Sequence, residues 1–359
     1  MDAKKPYLAV ILIQSIYGGM FLLSKAAFDV GMNPFVFVFY RQAAATLFLA
    51  PLAVFFEWKT APPLSFSCFW KIFMLSVCGI TLSLNIYGVA LIYTSATLAA
   101  ATTNCLPVIT FFLAVLFGLE MVKLRTIPGL VKLTGIVICL FGAATIALYR
   151  GPYLKLLLHH HLLGHYSQQP VYVPSSKAWA KGVFLMLLSN TFWGLWLVLQ
   201  GRVLKSYPSK LLSTTLQCFL STIQSFVIAI SLERDPYQWK LGWNVRLFSV
   251  AYCGVVVTGV TFYLQAWVVE KKGPVFLAMS TPLTLIFTII SSALLLGEII
   301  SLGSVFGGIL LVGGLYCVLW GKSKEQQMDE GVCSRNDAEK ECPISNKLVS
   351  TQRSSPFNV

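Results

Sequence analysis

Apolar stretches of membrane-spanning length recur along the whole chain and are separated by short polar breaks. About 20 consecutive apolar residues form a helix that crosses the hydrocarbon core of a bilayer. The pattern predicts ten such helices, over residues 7–28, 35–56, 70–92, 96–119, 127–148, 181–200, 211–232, 246–268, 274–296 and 303–320. The first stretch is too long, and too polar at Gln14 and Lys25, for a cleaved signal peptide, so we interpret it as a helix.

The ten helices fall into two groups of five, separated by a longer linker. We predict a first five-helix repeat over residues 1–148, an extracytosolic linker loop over 149–180, a second five-helix repeat over 181–320 and a disordered cytosolic tail over 321–359. The linker contains three prolines and a histidine cluster. The tail is polar and almost free of aromatic residues, a composition that does not bury a core.

Composition and charge support a membrane protein. Of the 359 residues, 56% are hydrophobic and only 11% are charged, whereas soluble domains carry about 25% charged residues. The lipid bilayer is therefore the expected partner of most of the surface. Thirteen of the 27 Lys and Arg residues lie on the N-terminal side of the predicted membrane and seven on the other side, which places both termini in the cytosol. The basic residues form no run interleaved with aromatic residues, so we expect no nucleic-acid partner.

The two halves of the chain resemble each other. When residues 100–139 are placed over residues 278–317, ten of the forty positions are identical, among them the pair Thr103 and Thr281. A shift of 176 positions aligns the first helices of the two halves and pairs Gln14 with Asn190, Tyr17 with Trp193, Gly18 with Gly194, Arg41 with Gln217 and Thr46 with Thr222. Matched polar and glycine positions in one register favour a duplication over a coincidence of composition.

A duplication of five helices has a topological consequence. Because five is an odd number, the second half enters the membrane from the opposite side, which gives an inverted repeat. Inverted repeats are typical of transporters, in which two similar halves exchange conformations around a central site and open it to each side in turn.

Several short motifs occur in the order found in one family of plant membrane proteins. Residues 31–42 read G-M-N-P-F-V-F-V-F-Y-R-Q. This run resembles the G-M-x-P-x-x-F-x-x-Y-R-H pattern of the plant nodulin-21-like, EamA-type transporter family, the "walls are thin"-related group of the drug/metabolite transporter superfamily. Further matching motifs are Ala50-Pro51, Phe55-Phe56-Glu57, Pro62-Pro63-Leu64, Leu148-Tyr149-Arg150-Gly151, Glu270-Lys271-Lys272-Gly273-Pro274-Val275-Phe276, Leu296-Gly297-Glu298 and Leu319-Trp320-Gly321-Lys322. Gln42 departs from the pattern, since many members have a titratable His there.

The resemblance covers about residues 1–324 and implies a plant carrier with two EamA-like halves. Family members include the UMAMIT amino-acid transporters and a vacuolar auxin carrier. The resemblance therefore implies amino acids as the solute, and an indole acid at the vacuolar membrane as the alternative.

Helix breakers at membrane depth indicate where a solute could bind, because unwound backbone survives there only inside protein or beside a cavity. Pro107 lies midway along the fourth predicted helix, after Thr103 and Asn104, and Pro282 lies in the ninth, after Thr281. One interpretation is a pair of kinked helices whose freed N–H and C=O groups hold a zwitterion. The alternative is a proline kink that serves helix packing alone.

Arg41 is the basic candidate for the site. It lies six residues inside the second predicted helix, about 9 Å from the helix end at 1.5 Å per residue. Its guanidinium can receive a solute carboxylate, or it can snorkel to the lipid headgroups.

The remaining candidates supply polar or aromatic groups on the first three helices of each half. An ammonium group or an indole ring can rest on such π faces, whereas the alternative role of each residue is an interhelical hydrogen bond or anchoring at the membrane interface. They are Gln14, Tyr17, Asn85, Tyr87, Asn190, Trp193, Gln217, Tyr263 and Gln265.

We expect neither a cofactor nor a metal site. The nine cysteines form no C-x-x-C pair. The histidines of the linker have no Cys, Asp or Glu among them between residues 150 and 180, which favours a solvated loop. Motifs of hydrolases and metalloproteases are absent, so no catalytic residue and no enzyme activity are predicted.

The sequence thus predicts an all-α membrane protein with ten transmembrane helices in two inverted five-helix repeats. The expected function is alternating-access transport of small organic solutes, amino acids first, across the plasma membrane, by a monomer or weak dimer. All seven carboxylates of the membrane region lie at helix ends or in loops, which favours a facilitator over a tight proton symporter. A non-transporting scaffold or sensor is the alternative from another class, and it leaves the inverted duplication unexplained.

Overall fold

The computed structural model describes residues 5–57, 63–94, 96–119, 126–148, 153–154, 176–207, 209–295 and 300–301, and thirteen positions between 306 and 325. The predicted histidine cluster, Glu120, Glu298 and the tail after residue 325 lie outside the described residues.

The described chain is almost entirely helical. The helices are α1 (Lys5–Asp29), α2 (Pro34–Phe56), α3 (Phe66–Tyr93), α4 (Ala96–Thr103), α5 (Leu106–Leu116), α6 (Ile127–Leu148), α7 (Ser176–Ser206), α8 (Lys210–Leu232), α9 (Val245–Lys272), α10 (Pro274–Met279) and α11 (Pro282–Leu295). The described residues between 306 and 325 are helical too. Within the described ranges, the departure from the all-α prediction is a pair of two-residue antiparallel strands, β1 (Tyr153–Leu154) and β2 (Ile300–Ser301), in which two connecting segments bond to each other.

Seven segments of the described chain are long and apolar enough to cross a membrane. They are Lys5–Asp29, Pro34–Phe56, Phe66–Tyr93, Ala180–Ser206, Lys210–Leu232, Val245–Lys272 and Pro274–Ser291. Leu106–Leu116 and Ile127–Gly142 are shorter apolar helices. The all-helical, multi-pass membrane architecture is confirmed, and the count of ten spans stays a prediction. The predicted 96–119 span is divided into α4 and α5, which end and begin at Thr103 and Leu106.

Local sequence explains where the long helices begin and end. Asn33 caps α2, since its side chain accepts hydrogen bonds from the N–H groups of Phe35 and Val36, and Pro34 takes the first helical position. Gly273, at a φ of 84°, turns the chain between α9 and α10. A residue without Cβ adopts this left-handed conformation without strain.

Two helices change to π-helical geometry at equivalent points. The segment Ser76–Leu82 lies within α3 and Tyr252–Val260 lies within α9. Their first residues are 176 positions apart, which is the spacing of the sequence repeat. The π segment of α9 packs against α2, and that of α3 packs against α8, so each half supports the other in the same way.

Helices α2 and α8 are joined at both ends by equivalent hydrogen bonds, which we term the clasps. At one end, the carboxylate of Glu57 accepts from the hydroxyl of Ser209, the N-cap residue of α8. At the other end, the carboxylate of Glu233 accepts from Asn33 Nδ2 at 2.6 Å, and Asn33 is the N-cap residue of α2. Each clasp therefore joins the first turn of one helix to the last turn of the other.

The middle of the same two helices meets at a further equivalent pair. Thr46 Oγ1 and Thr222 Oγ1 lie 3.1 Å apart, and these residues are 176 positions apart in the chain. With contacts at both ends and the centre, α2 and α8 run antiparallel along their whole length.

Candidate solute-binding cavity

A cavity lies where α1, α2, α3, α7 and α9 meet the breaks between α4 and α5 and between α10 and α11, and its empty space, which includes space open to solvent, is about 680 Å³. Nine of the fifteen residues singled out in the sequence line it. They are Gln14, Tyr17, Arg41, Tyr87, Thr103, Asn190, Trp193, Gln265 and Thr281.

Arg41 contributes a buried positive charge to this cavity. Its side chain is only 1% exposed, and Nε donates to Thr258 Oγ1 at 2.7 Å. Thr258 lies in the π segment of α9 and donates in turn to the carbonyl of Cys253 at 2.9 Å. The guanidinium is thus fixed by the other half of the chain and lies inside the protein.

Among the described residues, no carboxylate lies within ion-pair distance of Arg41, and the lining contains no Asp or Glu. A buried charge without a counter-charge is unfavourable by several kcal/mol. An anionic group that enters the cavity relieves this cost, and charge-assisted hydrogen bonds between a guanidinium and a carboxylate are roughly twice as strong as neutral ones.

One wall of the cavity is aromatic. The ring of Trp193 stacks on Trp196 with centroids 4.9 Å apart and an interplanar angle of 19°, and it contacts Phe262 at 5.4 Å. Tyr17 shares this cavity, and its hydroxyl accepts a 2.6 Å hydrogen bond from Gln265 Nε2. These rings are held in place and present flat apolar faces beside the guanidinium.

Tyr87 offers a polar group that is only weakly engaged within the described protein. Its hydroxyl is buried and interacts with the Ser24 side chain, but this contact falls short of hydrogen-bond geometry. Buried polar groups are almost always satisfied, so this hydroxyl is a candidate for a contact with a bound solute.

The two helix breaks place hydroxyl side chains beside the cavity. Pro107 and Pro282 lie in the first turn of α5 and α11, where the missing N–H costs nothing. The N–H groups of Ser280 and Thr281 donate to carbonyls three residues earlier, both at 3.1 Å. The N–H groups of Ser280 and Thr281 are therefore bonded locally, and Thr281 is the residue of this break that lines the cavity.

Gln14 lines the cavity with its amide already engaged. Nε2 donates to Ser280 Oγ at 2.6 Å, and Oε1 accepts from the hydroxyl of Thr284. Both partners flank the break between α10 and α11, so this glutamine ties the first helix to the broken one.

The other six residues from the sequence lie outside the lining. Asn85 Nδ2 donates to the carbonyl of Thr81 at 2.7 Å, and Asn104 Nδ2 donates to that of Ala100 at 3.1 Å. Gln217 accepts from Trp196 Nε1 at 2.9 Å in a network behind the aromatic wall. The last three are Pro107, Tyr263 and Pro282.

Sequence reasoning missed part of the lining. The missed polar residues are Ser83, Ser189 and Thr284, and the missed apolar ones are Ile13, Met20, Phe21, Leu84, Leu106, Leu197, Leu277 and Ala278. Helical spacing was the available signal, because Ser83 precedes Tyr87 by four positions and Thr284 follows Thr281 by three. Residues at these spacings share one face of a helix.

Comparison with known proteins places this architecture in a family. Residues 4–148 and 180–320 match the EamA-like transporter family. WAT1-related protein At5g64700 of Arabidopsis thaliana is 64% identical over 332 residues, which cover 91% of this chain and 92% of the relative. WAT1-related protein At1g43650 of the same plant is 50% identical over 331 residues, with 91% and 94% covered.

More distant similarity agrees with this. Protein WALLS ARE THIN 1 of Arabidopsis thaliana is 34% identical over 361 residues, which cover 98% of this chain and 93% of that protein. A solved crystal structure of a protein with 14% identity has a TM-score of 0.61 and covers 90% of this chain and 99% of its own, a likeness that shows the fold alone. The chain belongs to the EamA-like transporter family and is a multi-pass membrane protein of a type that the family indicates to be a transporter.

Proposed function

We propose that this chain is an alternating-access carrier of small organic solutes with a carboxylate, and that amino acids are its solutes. The observation that carries the proposal is the buried Arg41 guanidinium, which faces an aromatic-walled cavity and has no carboxylate partner among the described residues. A solute carboxylate completes this site electrostatically.

Many alternating-access carriers are built from two halves of opposite orientation, and several observations support this arrangement here. The family match falls on two segments, 4–148 and 180–320. Equivalent helices α2 and α8 are antiparallel, and the π segments recur 176 positions apart. We propose two inverted repeats on either side of the linker, with both termini in the cytosol and the plasma membrane as the location.

The cavity suggests a pose for an amino acid. The carboxylate binds the terminal nitrogens of Arg41, because Nε is engaged with Thr258. The ammonium group faces the π surface of Tyr17 or Trp193, where a cation is attracted to the ring. Apolar residues of the lining, such as Leu277, receive an uncharged side chain.

The test is flux of radiolabelled amino acids into vesicles or oocytes that express the chain. We expect the parent to take up amino acids. In Arg41→Gln the rate of uptake should fall about tenfold or more, since charge-assisted hydrogen bonds contribute about 1.5–3 kcal/mol each. Arg41→Lys keeps the charge but loses the planar guanidinium that binds a carboxylate through two hydrogen bonds, so it should retain only part of the flux. Arg202→Gln, at the end of α7 and outside the lining, is the matched control and should keep full flux. Undiminished uptake in Arg41→Gln, or equal uptake of the decarboxylated amine, contradicts the proposal.

A second candidate solute is an indole acid, transported across the vacuolar membrane. The described lining offers no carboxylate to an ammonium group, whereas a carboxylate plus a flat aromatic ring matches Arg41 and Trp193. Competition distinguishes the two candidates. In an amino-acid carrier, excess indole-3-acetate should inhibit amino-acid uptake only slightly. An indole-acid carrier should take up labelled indole-3-acetate and should not transport amino acids.

A further inference from the structure

Equivalent polar residues on the first helix of each half make different contacts. Gln14 on α1 holds the broken helix pair α10 and α11 through Ser280 and Thr284. Its equivalent Asn190 on α7, 176 positions later, lines the same cavity as Thr103 and Leu106, which flank the break between α4 and α5. The Nδ2 group of Asn190 is buried and has no hydrogen-bond partner among the described residues.

The helices around the two amides nevertheless pack alike. A Cβ added at Gly18 would lie 3.0 Å from Phe287 Cβ, and one at Gly194 would lie 3.2 Å from Thr110 Oγ1. Helix α1 therefore packs closely against α11 at Gly18, and helix α7 packs closely against α5 at the equivalent Gly194. The close helix contact occurs in both halves. The hydrogen bonds from the side-chain amide to the break are made by Gln14 and not by the Nδ2 group of Asn190.

The hydroxyl groups on the α5 side can accept such a bond. Thr110 Oγ1 is buried and without a partner among the described residues. Thr103 Oγ1 donates to the carbonyl of Ala99 at 2.8 Å, and Thr103 lines the same cavity as Asn190. A hydroxyl that donates once still has lone pairs with which it accepts.

We propose that Gln14 and Asn190 are alternating latches: Gln14 holds the α10–α11 break in the state described, and Asn190 bonds to Thr103 beside the α4–α5 break in the opposite-facing state, when Gln14 releases Ser280 and Thr284. The proposal rests on the proposed function, because it requires that the two halves exchange conformations. When the two halves exchange conformations, the hydrogen bonding made by Gln14 in one state is replaced by the equivalent hydrogen bond of Asn190 in the other state.

The latches also explain why one amide is left without a bond. A buried N–H without an acceptor disfavours the state in which it occurs. Each state has one latch made and one open, so the bonds lost on leaving one state are offset in part by the bond gained in the other. A carrier needs both states to be populated. If one state is rarely populated, turnover falls in proportion to the small fraction of molecules in that state.

The test measures from which side of the membrane the cavity is reached. Leu197→Cys introduces a thiol into the lining, which contains no native cysteine. Sealed vesicles of known orientation are treated with a membrane-impermeant maleimide from either side, and peptide mass spectrometry quantifies labelling at residue 197 as a ratio between the two sides. The measurement needs no solute.

We expect the two latch variants to shift this ratio in opposite directions. Gln14→Leu removes two hydrogen bonds of the described state and should shift the ratio toward the opposite side about fivefold or more, at the strength measured for such bonds in membranes. Asn190→Leu removes one bond of the opposite state and should shift the ratio the other way, about threefold. Thr284→Val, which deletes one partner of Gln14 and leaves the amide intact, should shift the ratio as Gln14→Leu does, about half as far on a logarithmic scale.

Asn85→Leu is the matched control, since it also removes a buried amide but lies outside the lining. It should leave the ratio unchanged. Shifts of Gln14→Leu and Asn190→Leu in the same direction, or no shift in either while Asn85→Leu behaves as the parent, overturn the latches. Opposite shifts in a chain that moves neither amino acids nor indole acids support the latches and contradict only the proposed solute. Flux without any shift overturns the latches alone.

Discussion

Gly254 brings the backbone of α2 against the π segment of α9, and this contact sets the position of Arg41. A Cβ at Gly254 would lie 2.6 Å from Ala44 Cβ and 2.8 Å from the carbonyl oxygen of Arg41. Neither atom can move by changing a rotamer, because both are fixed to the α2 backbone. The hydrogen bond from Arg41 to Thr258 depends on the same approach.

Gly254→Ala therefore tests whether the helix contact places the guanidinium. The substitution should displace α2 and cost about 1–3 kcal/mol through overpacking. We expect a melting temperature lower by several degrees, read from the fluorescence of detergent-purified protein, together with reduced solute flux.

The control for this substitution is Gly201→Ala on α7. A Cβ there meets Val269 Cγ1 at 3.5 Å, an ordinary contact. Replacing a helical glycine by alanine without a clash stabilises the helix by about 0.5–1 kcal/mol. Equal melting temperatures for Gly254→Ala and the parent would show that α2 yields easily and that the glycine is not needed.

At the residue scale, the sequence predicted which types of side chain form the site better than it predicted which side chains point into the cavity. It identified Arg41 and Trp193, whose types are unusual inside a membrane or typical of binding walls. It also selected Asn85 and Gln217, which lie outside the lining. Helices that are apolar on every side have no strong amphipathic pattern, so the face on which a polar residue lies cannot be deduced from its own helix.

Among the elements, the antiparallel pair α2 and α8 is held by two equivalent clasps. Glu57 binds the N-cap of α8, and Glu233 binds the N-cap of α2. A carboxylate near the first turn of a helix also interacts favourably with the helix dipole. The two sites lie at opposite ends of a 23-residue helix, about 34 Å apart at 1.5 Å per residue.

This distance predicts additive energetics. Glu57→Ala and Glu233→Ala should each lower the free energy of unfolding by about 1–3 kcal/mol, because each removes charge-assisted hydrogen bonds. The double variant should equal the sum within about 0.5 kcal/mol, since the sites share no partner.

Asp29→Ala provides the carboxylate control. Asp29 forms an exposed i,i+4 pair with Lys25 at 3.0 Å, a type of pair that contributes about 0.3–0.5 kcal/mol. Denaturant titration of the four variants in detergent measures the differences. A coupling above 1 kcal/mol between the two clasps would mean that α2 and α8 respond as one unit along their length.

The sequence anticipated the broken helices but not the π segments. Proline beside threonine and asparagine is a visible interruption, and the breaks lie next to Pro107 and Pro282. The π segments contain no such breaker, since Ser76–Leu82 reads as an ordinary apolar run. The π segment of α3 lies where the halves pack closely, with Gly79 against Trp196, and the sequence of a single helix does not reveal such a contact.

For the molecule as a whole, the placement of carboxylates bears on energy coupling. The described acidic residues lie at helix ends or in the connections between helices, and none lines the cavity. Proton-coupled carriers use carboxylates or histidines within the membrane as relay groups. The position at which the family resemblance expects His is Gln42, whose buried amide does not titrate.

We therefore expect a facilitator driven by the solute gradient and the membrane potential. Collapsing the pH gradient across vesicles at a clamped voltage should leave the initial rate of uptake unchanged, while reversing the voltage should alter it for a charged solute. Loss of concentrative uptake on removal of the pH gradient alone would contradict this and indicate a proton symporter. Gln42→His is the informative companion variant, since it restores the titratable group of the family pattern.

The reciprocal clasps also bear on how such a chain can have arisen. One half contains both a capping side chain and the carboxylate that its partner's cap requires, at Asn33 and Glu57 in the first half and at Ser209 and Glu233 in the second. Two identical subunits with these residues would form a homodimer with both ends of the helix pair closed. We expect that joining two such copies in one chain would need no new interface and would leave each copy free to specialise.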